Sequence, residues 1–189
     1  MRQAPPNSLL FVKVLLPRSD DVEVLRKPAG ADGGSGGVAE EEGAYSSASV
    51  GKIVIEQQIR HAAGDVHRAR YAPHHPDLIA TKSPAHHVCV FDRTKYTSQP
   101  VEGDQPTLLL EGHSEEGYGL AWSPHKSDAG CVLSGSNDGL VLMWNVEQAP
   151  GQSLAAKKSG SAQPTPTLQP LHSFRAHTDI VEDLSLIHI

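Results

Sequence analysis

Residues 112–145 read GHSEEGYGLAWSPHKSDAGCVLSGSNDGLVLMWN, and this stretch decides the fold. It opens on Gly-His, passes through two apolar segments separated by turn-forming residues, and closes on Trp144-Asn145. A poorer copy starts at His61 and closes on Phe91-Asp92, and its span matches that of the better copy within one residue. A third copy begins at Ala176-His177. The chain is therefore built from repeats.

A repeat of roughly 40 to 45 residues with this ending is typical of WD repeats, each of which forms a four-stranded blade of a β-propeller. We predict an all-β fold, a partial WD-repeat β-propeller of about two blades with partial flanking blades. Because a closed ring needs about four to eight blades, we expect the 189 residues to be a fragment of a longer protein. Propellers present rigid rims of loops, so a binding platform is expected before an enzyme.

Composition and strand patterns divide the chain further. The Gly- and Glu-rich stretch cannot bury enough apolar surface to order itself, so it is predicted to be a flexible insertion. The Pro- and Ser-rich stretch is predicted to be a loop between blades. The segments are residues 1–25 (a preceding strand), 26–50 (the flexible insertion), 51–100 (a degenerate WD-type blade), 101–148 (a WD-type blade), 149–170 (the loop) and 171–189 (the truncated start of the next blade).

Charge and composition exclude several classes of protein. A net charge of −6 disfavours a direct nucleic-acid site and suits a basic partner, such as a protein tail. The apolar run from Leu9 to Leu16 is too short to span a membrane, lacks a signal-peptide cleavage site and reads as a strand. Cys89 and Cys131 fall in predicted strands, where we expect them to be buried and inert.

Four residues of the better copy match the structural network of this repeat type. A WD blade usually carries a hydrogen-bonded chain of Trp, Ser or Thr, His and Asp, and these roles map onto Trp144, Ser134, His113 and Asp138. A partly buried imidazole needs a partner on each nitrogen, which the Asp and Ser supply. The same Ser, His and Asp could form a hydrolase triad, but no nucleophile-elbow sequence surrounds Ser134. We therefore assign no catalytic residue, and keep a His-dependent hydrolase as the enzymatic alternative.

The poorer copy has an incomplete network. Thr81 stands at the Ser134 position and Ala85 at the Asp138 position, so His61 lacks its carboxylate. We expect His61 to find another partner or to stay solvated, and the first blade to be locally weaker.

The histidine pairs 74–75 and 86–87 raise the possibility of a metal site. Adjacent histidines point in different directions, and no Cys or carboxylate stands beside them at zinc-ligand spacing. We interpret them as solvated loop histidines and predict neither a metal nor a cofactor.

Several short stretches together closely resemble the retinoblastoma-binding, histone-binding WD-repeat family, which includes the small subunit of chromatin assembly factor. The resemblance covers about residues 51 to 185. The matching stretches are Gly51-Lys52-Ile53, Arg68-Ala69-Arg70-Tyr71, Ile79-Ala80-Thr81-Lys82, Val90-Phe91-Asp92, Glu116-Gly117-Tyr118-Gly119-Leu120 and Val181-Glu182-Asp183.

The resemblance implies a seven-bladed ring and a non-catalytic role in the nucleus, recruiting chromatin assembly, remodelling and histone-modifying complexes to core histones. Family members bind one histone through an N-terminal helix and a neighbouring acidic loop, and the basic tail of another across one face of the ring. This chain begins after that helix, so we expect it to lack the first site. The alternative is a general WD-repeat scaffold or adaptor, for instance in a ubiquitin ligase or in ribosome assembly.

The resemblance also implies a tail-binding surface just before the inner strands of successive blades. These positions lie four or six residues ahead of Tyr71, Trp122 or Leu186. Carboxylates there would receive Arg and Lys side chains through charge-assisted hydrogen bonds, although turn residues of this kind are also often merely solvated. His67 stands where the family usually has an amide. The candidate histone-tail residues are Asp65, His67, Glu116, Tyr118 and Glu182.

Overall fold

The structure, a computed structural model, describes residues 7–16, 51–148 and 164–186. The predicted flexible insertion, residues 26–50, and residues 149–163 of the predicted loop lie outside these ranges. The chain divides into two compact units, residues 10–56 and residues 1–9 with 57–189.

The described residues form strands joined by turns and three short 3-10 helices, which confirms the all-β prediction. Apolar and β-branched runs bounded by Gly, Pro, Ser and Asp mark most of the strands, as expected for half-buried sheets. In chain order the strands are β1 (Ser8–Leu15), β2 (Lys52–Arg60), β3 (Arg68–Ala72), β4 (His75–Lys82), β5 (Val88–Asp92), β6 (Leu108–Leu110), β7 (Leu120–Trp122), β8 (Cys131–Gly135), β9 (Val141–Asn145), β10 (Thr167–Leu168) and β11 (His172–Phe174).

The smaller unit contains most of β1 and part of β2, which form a two-stranded sheet. The apolar run from Leu9 to Leu16 is thus a strand, as predicted. Among the described residues no helix is long and apolar enough to cross a membrane.

The first sheet of the larger unit has the order β10-β6-β5-β4-β3, and its strands from β3 to β6 are antiparallel. β10 pairs with β6 in parallel, although its residues fall in the stretch expected to be a loop. The reason is that β6 leaves outward amides unpaired by β5: Leu109 N donates to Pro166 O at 2.9 Å and Glu111 N to Leu168 O at 3.0 Å. An unpaired strand edge readily accepts such a segment.

The second sheet has the order β11-β9-β8-β7 and is antiparallel throughout. The sheets are offset by one strand from the sequence repeat. β6 lies in residues 101–148 but is the fourth strand of the first sheet, with β10 paired on its outer side, and β11 lies in residues 171–189 but closes the second sheet. The unit of residues 101–148 therefore contributes β6 to the first sheet and β7, β8 and β9 to the second, which links the two sheets covalently.

Apolar side chains of both sheets meet in one core. It joins Leu78, Ala80 and Val90 of the first sheet with Leu120, Val132 and Trp144 of the second. The inner strands are also tied directly, because Trp122 Nε1 donates to Arg70 O at 2.9 Å.

The two cysteines differ from each other in burial. Cys89 is buried in β5, and burial raises the pKa of its thiol to about 12, so it is unreactive as expected. Cys131 was expected to be buried too, but it is half-buried because it alternates along β8 with the buried Val132 and so lies on the other face of the sheet.

We predict that Leu110→Ala lowers the free energy of unfolding by about 2 to 5 kcal/mol, because it leaves a cavity in the core between the sheets. Leu110 is fully buried. Leu171→Ala is the matched control: this leucine is 47% exposed, so its loss should change stability by about 0.5 kcal/mol or less. Urea unfolding of both variants is the measurement, and equal effects would contradict a core at Leu110.

Candidate peptide-binding edge and its buried relay

Several connections lie at one end of the two sheets, because strand direction alternates in antiparallel sheets, and three of them carry the candidate residues or the turn that contacts them. We call this end the upper edge, and define it as residues 61–67 before β3, residues 111–119 before β7 and residues 136–140 between β8 and β9. All candidate residues before β3 and β7 lie on it.

His113 anchors the upper edge to the interior. Its Nδ1 lies 3.1 Å from Asp138 Oδ2, and its Nε2 lies 3.2 Å from both the hydroxyl and the carbonyl oxygen of Ser134. The His113 side chain is fully buried. Since a carboxylate can only accept, Nδ1 carries the hydrogen that bonds Asp138. Three of the four predicted network residues are therefore joined as expected from the repeat.

The predicted hydrogen bond of the fourth residue, Trp144, to the serine is wrong. Its indole packs edge-on to His113, with ring centroids 5.9 Å apart, but Nε1 donates to Glu111 O at 3.1 Å and not to Ser134. The donor to Ser134 Oγ is Lys82 Nζ, at 2.8 Å. Lys82 is the last residue of β4, on the same face as Leu78 and Ala80, so its stem passes through the core between the sheets.

We call the hydrogen-bonded series Lys82, Ser134, His113 and Asp138 the relay. Burial and charge shift the pKa values of its titratable groups. Burial lowers the pKa of Lys82 to about 8, against the opposing charge of Asp138. Burial and, after it, the charge of Lys82 lower the pKa of His113. Burial alone would raise the pKa of Asp138, but hydrogen bonds from Ser114 N, Leu140 N and His113 outweigh it and the pKa is lowered. Asp138 is therefore ionised and His113 neutral near pH 7.

In the poorer copy, both ring nitrogens of His61 have hydrogen-bond partners although no carboxylate is present. His61 is buried, with Nδ1 3.1 Å from Gly64 O and Nε2 3.0 Å from Thr81 Oγ1. A carbonyl can only accept, so Nδ1 donates to Gly64 O and the neutral ring accepts from Thr81. The expected alternative partner is thus a backbone carbonyl three residues on, which the residue pattern did not identify.

The Ser134, His113 and Asp138 distances resemble those of a hydrolase triad, but their burial does not. A nucleophilic serine must reach a substrate carbonyl. Ser134 is fully buried and its oxygen already accepts from Lys82. The arrangement fits a structural tie and not a site for acyl transfer.

The structure brings three of the candidate tail residues together. The rings of His67 and Tyr118 stack with centroids 4.6 Å apart and planes 14° apart. His67 Nε2 lies 4.0 Å from Glu116 Oε2, and its Nδ1 lies 3.4 Å from Gly117 O. An aromatic pair and a half-exposed carboxylate therefore sit side by side on the upper edge.

The loop that carries Glu116 and Tyr118 is clamped by the turn between β8 and β9. The Ser136 hydroxyl shares its one hydrogen between Glu115 O at 2.8 Å and Glu116 O at 2.7 Å, and Asn137 N donates to Glu116 O at 2.9 Å. Position 117 must be glycine, because a Cβ there would lie 2.5 Å from the backbone of Gly135 and Ser136.

The other two candidate residues, Asp65 and Glu182, lie outside this cluster. Asp65 accepts a hydrogen bond from Asn7 Nδ2 at 2.8 Å. Glu182 is exposed, and its neighbours hold its segment at the upper edge: Val181 N donates to Ser136 O, and Asp183 accepts from Arg68 Nη1 at 2.7 Å.

The first histidine pair, His74 and His75, makes hydrogen-bonding contacts within the protein, although both pairs were expected to be only solvated. His74 Nε2 donates to Pro124 O at 2.8 Å, and His75 Nε2 lies 3.0 Å from Glu147 Oε1. Within the described ranges no three His, Cys, Asp or Glu side chains form a group that could hold a metal ion.

Two neighbouring sheets, antiparallel except for the added β10, each contact a buried histidine and are offset by one strand from the sequence repeat, and this arrangement defines blades of a WD-repeat protein. The chain is 35% identical, over 193 aligned positions covering 95% of its length, to "Histone acetyltransferase type B subunit 2" of Mycosarcoma maydis. It spans 39% of the length of that relative. No family model matches the chain. This identity agrees with the resemblance of the repeats to the retinoblastoma-binding, histone-binding WD-repeat family.

We predict that Asp138→Ala lowers the free energy of unfolding by about 1 to 3 kcal/mol, since the buried His113 ring and the partly buried Leu140 amide lose their acceptor, as does the exposed Ser114 amide. Asp128→Ala is the control, because Asp128 is exposed and should change stability by about 0.5 kcal/mol or less. Thermal and urea unfolding measure both. An Asp138 variant as stable as the control would remove this carboxylate from the structural network.

Stability should also depend on pH through Lys82. Its pKa falls from 10.5 in the unfolded chain to about 8 in the fold, so between these values the unfolded chain binds the extra proton. The free energy of unfolding therefore rises with pH across this window. Urea unfolding below, within and above the window should show the wild type gaining stability relative to Lys82→Met. A constant difference would show that Lys82 is not buried as a cation.

Proposed function

We propose that the chain is the tail-binding part of a non-catalytic histone-binding subunit, and that its upper edge holds a basic histone tail. The observation that carries the proposal is the cluster of His67, Glu116 and Tyr118, an aromatic stack beside a carboxylate. Asp65 and Glu182 extend the acidic character along the same edge.

The chemistry of the cluster matches a cationic peptide. A guanidinium or ammonium group binds over the face of an aromatic ring and pairs with a carboxylate next to it. The Tyr118 side chain is 42% exposed and the Glu116 side chain is 42% exposed, so both are available to a ligand. The net charge of −6 adds a long-range attraction for basic partners.

The resemblance to the histone-binding WD-repeat family and the name of the relative support a place in chromatin complexes. That relative is named as a subunit of a histone acetyltransferase. We therefore propose core histones and other subunits of chromatin assembly, remodelling or histone-modifying complexes as partners, a nuclear location, and no catalytic, cofactor or direct nucleic-acid role of its own.

A general WD-repeat scaffold or adaptor remains the competing function. The two differ in what they capture: a histone-binding subunit retains purified core histones, whereas an adaptor of another pathway does not. A pull-down with purified core histones at physiological salt separates them, and failure to retain any histone would favour the scaffold.

We predict that Glu116→Lys combined with Glu182→Lys weakens binding of a basic histone-tail peptide by more than tenfold. Two charge reversals replace attraction by repulsion at the proposed site. Calorimetric titration at two salt concentrations is the measurement, and the loss should be greater at low salt because screening is weaker.

The control is Glu102→Lys combined with Asp128→Lys. It changes the net charge equally, but both exposed residues lie in connections at the opposite end of the strands, before β6 and before β8. Equal losses in the two double variants would show that net charge alone governs binding, and would remove Glu116 and Glu182 from the site.

A further inference from the structure

Lys82 crosses the boundary between the two sheets. It belongs to β4 of the first sheet, and its Nζ donates at 2.8 Å to the hydroxyl of Ser134 in β8 of the second. It is fully buried. Burying an ammonium group costs free energy unless a nearby opposite charge balances it, so the charged groups around Lys82 decide its state.

The titratable groups facing this lysine come from three connections. Asp138 lies in the turn between β8 and β9, His113 lies between β6 and β7, and His87 lies between β4 and β5 near Glu111. The relay from Lys82 through Ser134 and His113 to Asp138 therefore holds two bases for one carboxylate.

The relay has two ways to balance its charge. In the first, Lys82 is the cation: Nζ donates to Ser134 Oγ, whose hydrogen points to Nε2 of a neutral His113, and Nδ1 donates to Asp138. In the second, His113 is the cation, donating to Asp138 and to Ser134 O, and Lys82 is neutral. Both at once would place two buried cations on either side of one hydroxyl, against a single carboxylate.

We propose that Lys82 is the resident cation of this relay, that it keeps His113 neutral, and that it is thereby a positioning residue for the upper edge. Ammonium and serine hydroxyl form a chain in which every donor points toward Asp138. Asp138 in turn accepts from Ser114 N at 3.0 Å, at the start of the loop that carries Glu116 and Tyr118. Lys82 of the first sheet thus helps to hold the position of the loop before β7 in the second.

The direct test is histidine NMR of the full chain across pH, with His113 assigned by its loss in His113→Gln. In the wild type we expect a neutral ring with the hydrogen on Nδ1 at pH 7 and below. In Lys82→Met the competing cation is gone, so the titration of His113 should move up by at least one pH unit, a more than tenfold change in proton affinity.

Two variants serve as controls. Lys82→Arg keeps the buried charge and should keep His113 neutral, and Lys126→Met removes an exposed lysine and should leave His113 unchanged. An unmoved His113 titration in Lys82→Met overturns the proposal. If that variant does not fold, the wild-type spectrum alone decides: an imidazolium at pH 7, together with a neutral Lys82 Nζ signal, overturns it equally.

The effect on the binding loop rests on the proposed function and needs a second readout. We expect Lys82→Met to weaken binding of the basic peptide at least threefold and Lys82→Arg to restore it. Unchanged binding in a variant whose His113 has shifted would reject the positioning role. Absence of peptide binding in the wild type would instead reject the proposed function, and the NMR result would still decide the charge state of the relay.

Discussion

A buried imidazole that needs a partner on both nitrogens is the constraint on which the second sheet depends. His113 meets it with Asp138 on one side and Ser134 on the other. Because Asp138 also accepts two backbone amides, a single carboxylate fixes the turn between β8 and β9 and the start of the loop before β7. That turn then clamps the loop of Glu116 through Ser136 and Asn137. The surface of the molecule is thus set by a requirement of its interior.

The first sheet shows what happens when the carboxylate is missing. His61 uses a backbone carbonyl in place of Asp138, which satisfies the ring but brings no negative charge. The second sheet has its carboxylate and receives a cation from its neighbour, Lys82. The two blades therefore share one hydrogen-bonding geometry but differ in charge, and only the second couples its buried charge to the adjoining sheet.

The buried network stabilises the fold, whereas the proposed binding residues lie on the upper edge. Ser134, His113 and Asp138 have the distances of a catalytic set but no access to a substrate, so they act on stability. Glu116 and Tyr118 are partly exposed beside the His67 ring and offer complementary chemistry for a basic peptide, and the similarity to a relative named as a histone acetyltransferase subunit supports that proposed role. The ring of His67 stacks on Tyr118, which the pattern of residues alone did not indicate.

The sequence by itself determined the repeat, most of the strands and the partnership of His113 with Ser134 and Asp138, because these depend on local spacing within one unit. Tertiary structure alone decided the one-strand offset, the parallel addition of β10, the bond of Trp144 to Glu111 and the stack of His67 on Tyr118. It also placed Lys82 beside Ser134, 52 residues away in the chain. These features arise where two units meet, and the spacing of residues within a repeat carries no information about which side chain of the neighbouring sheet fills a shared core.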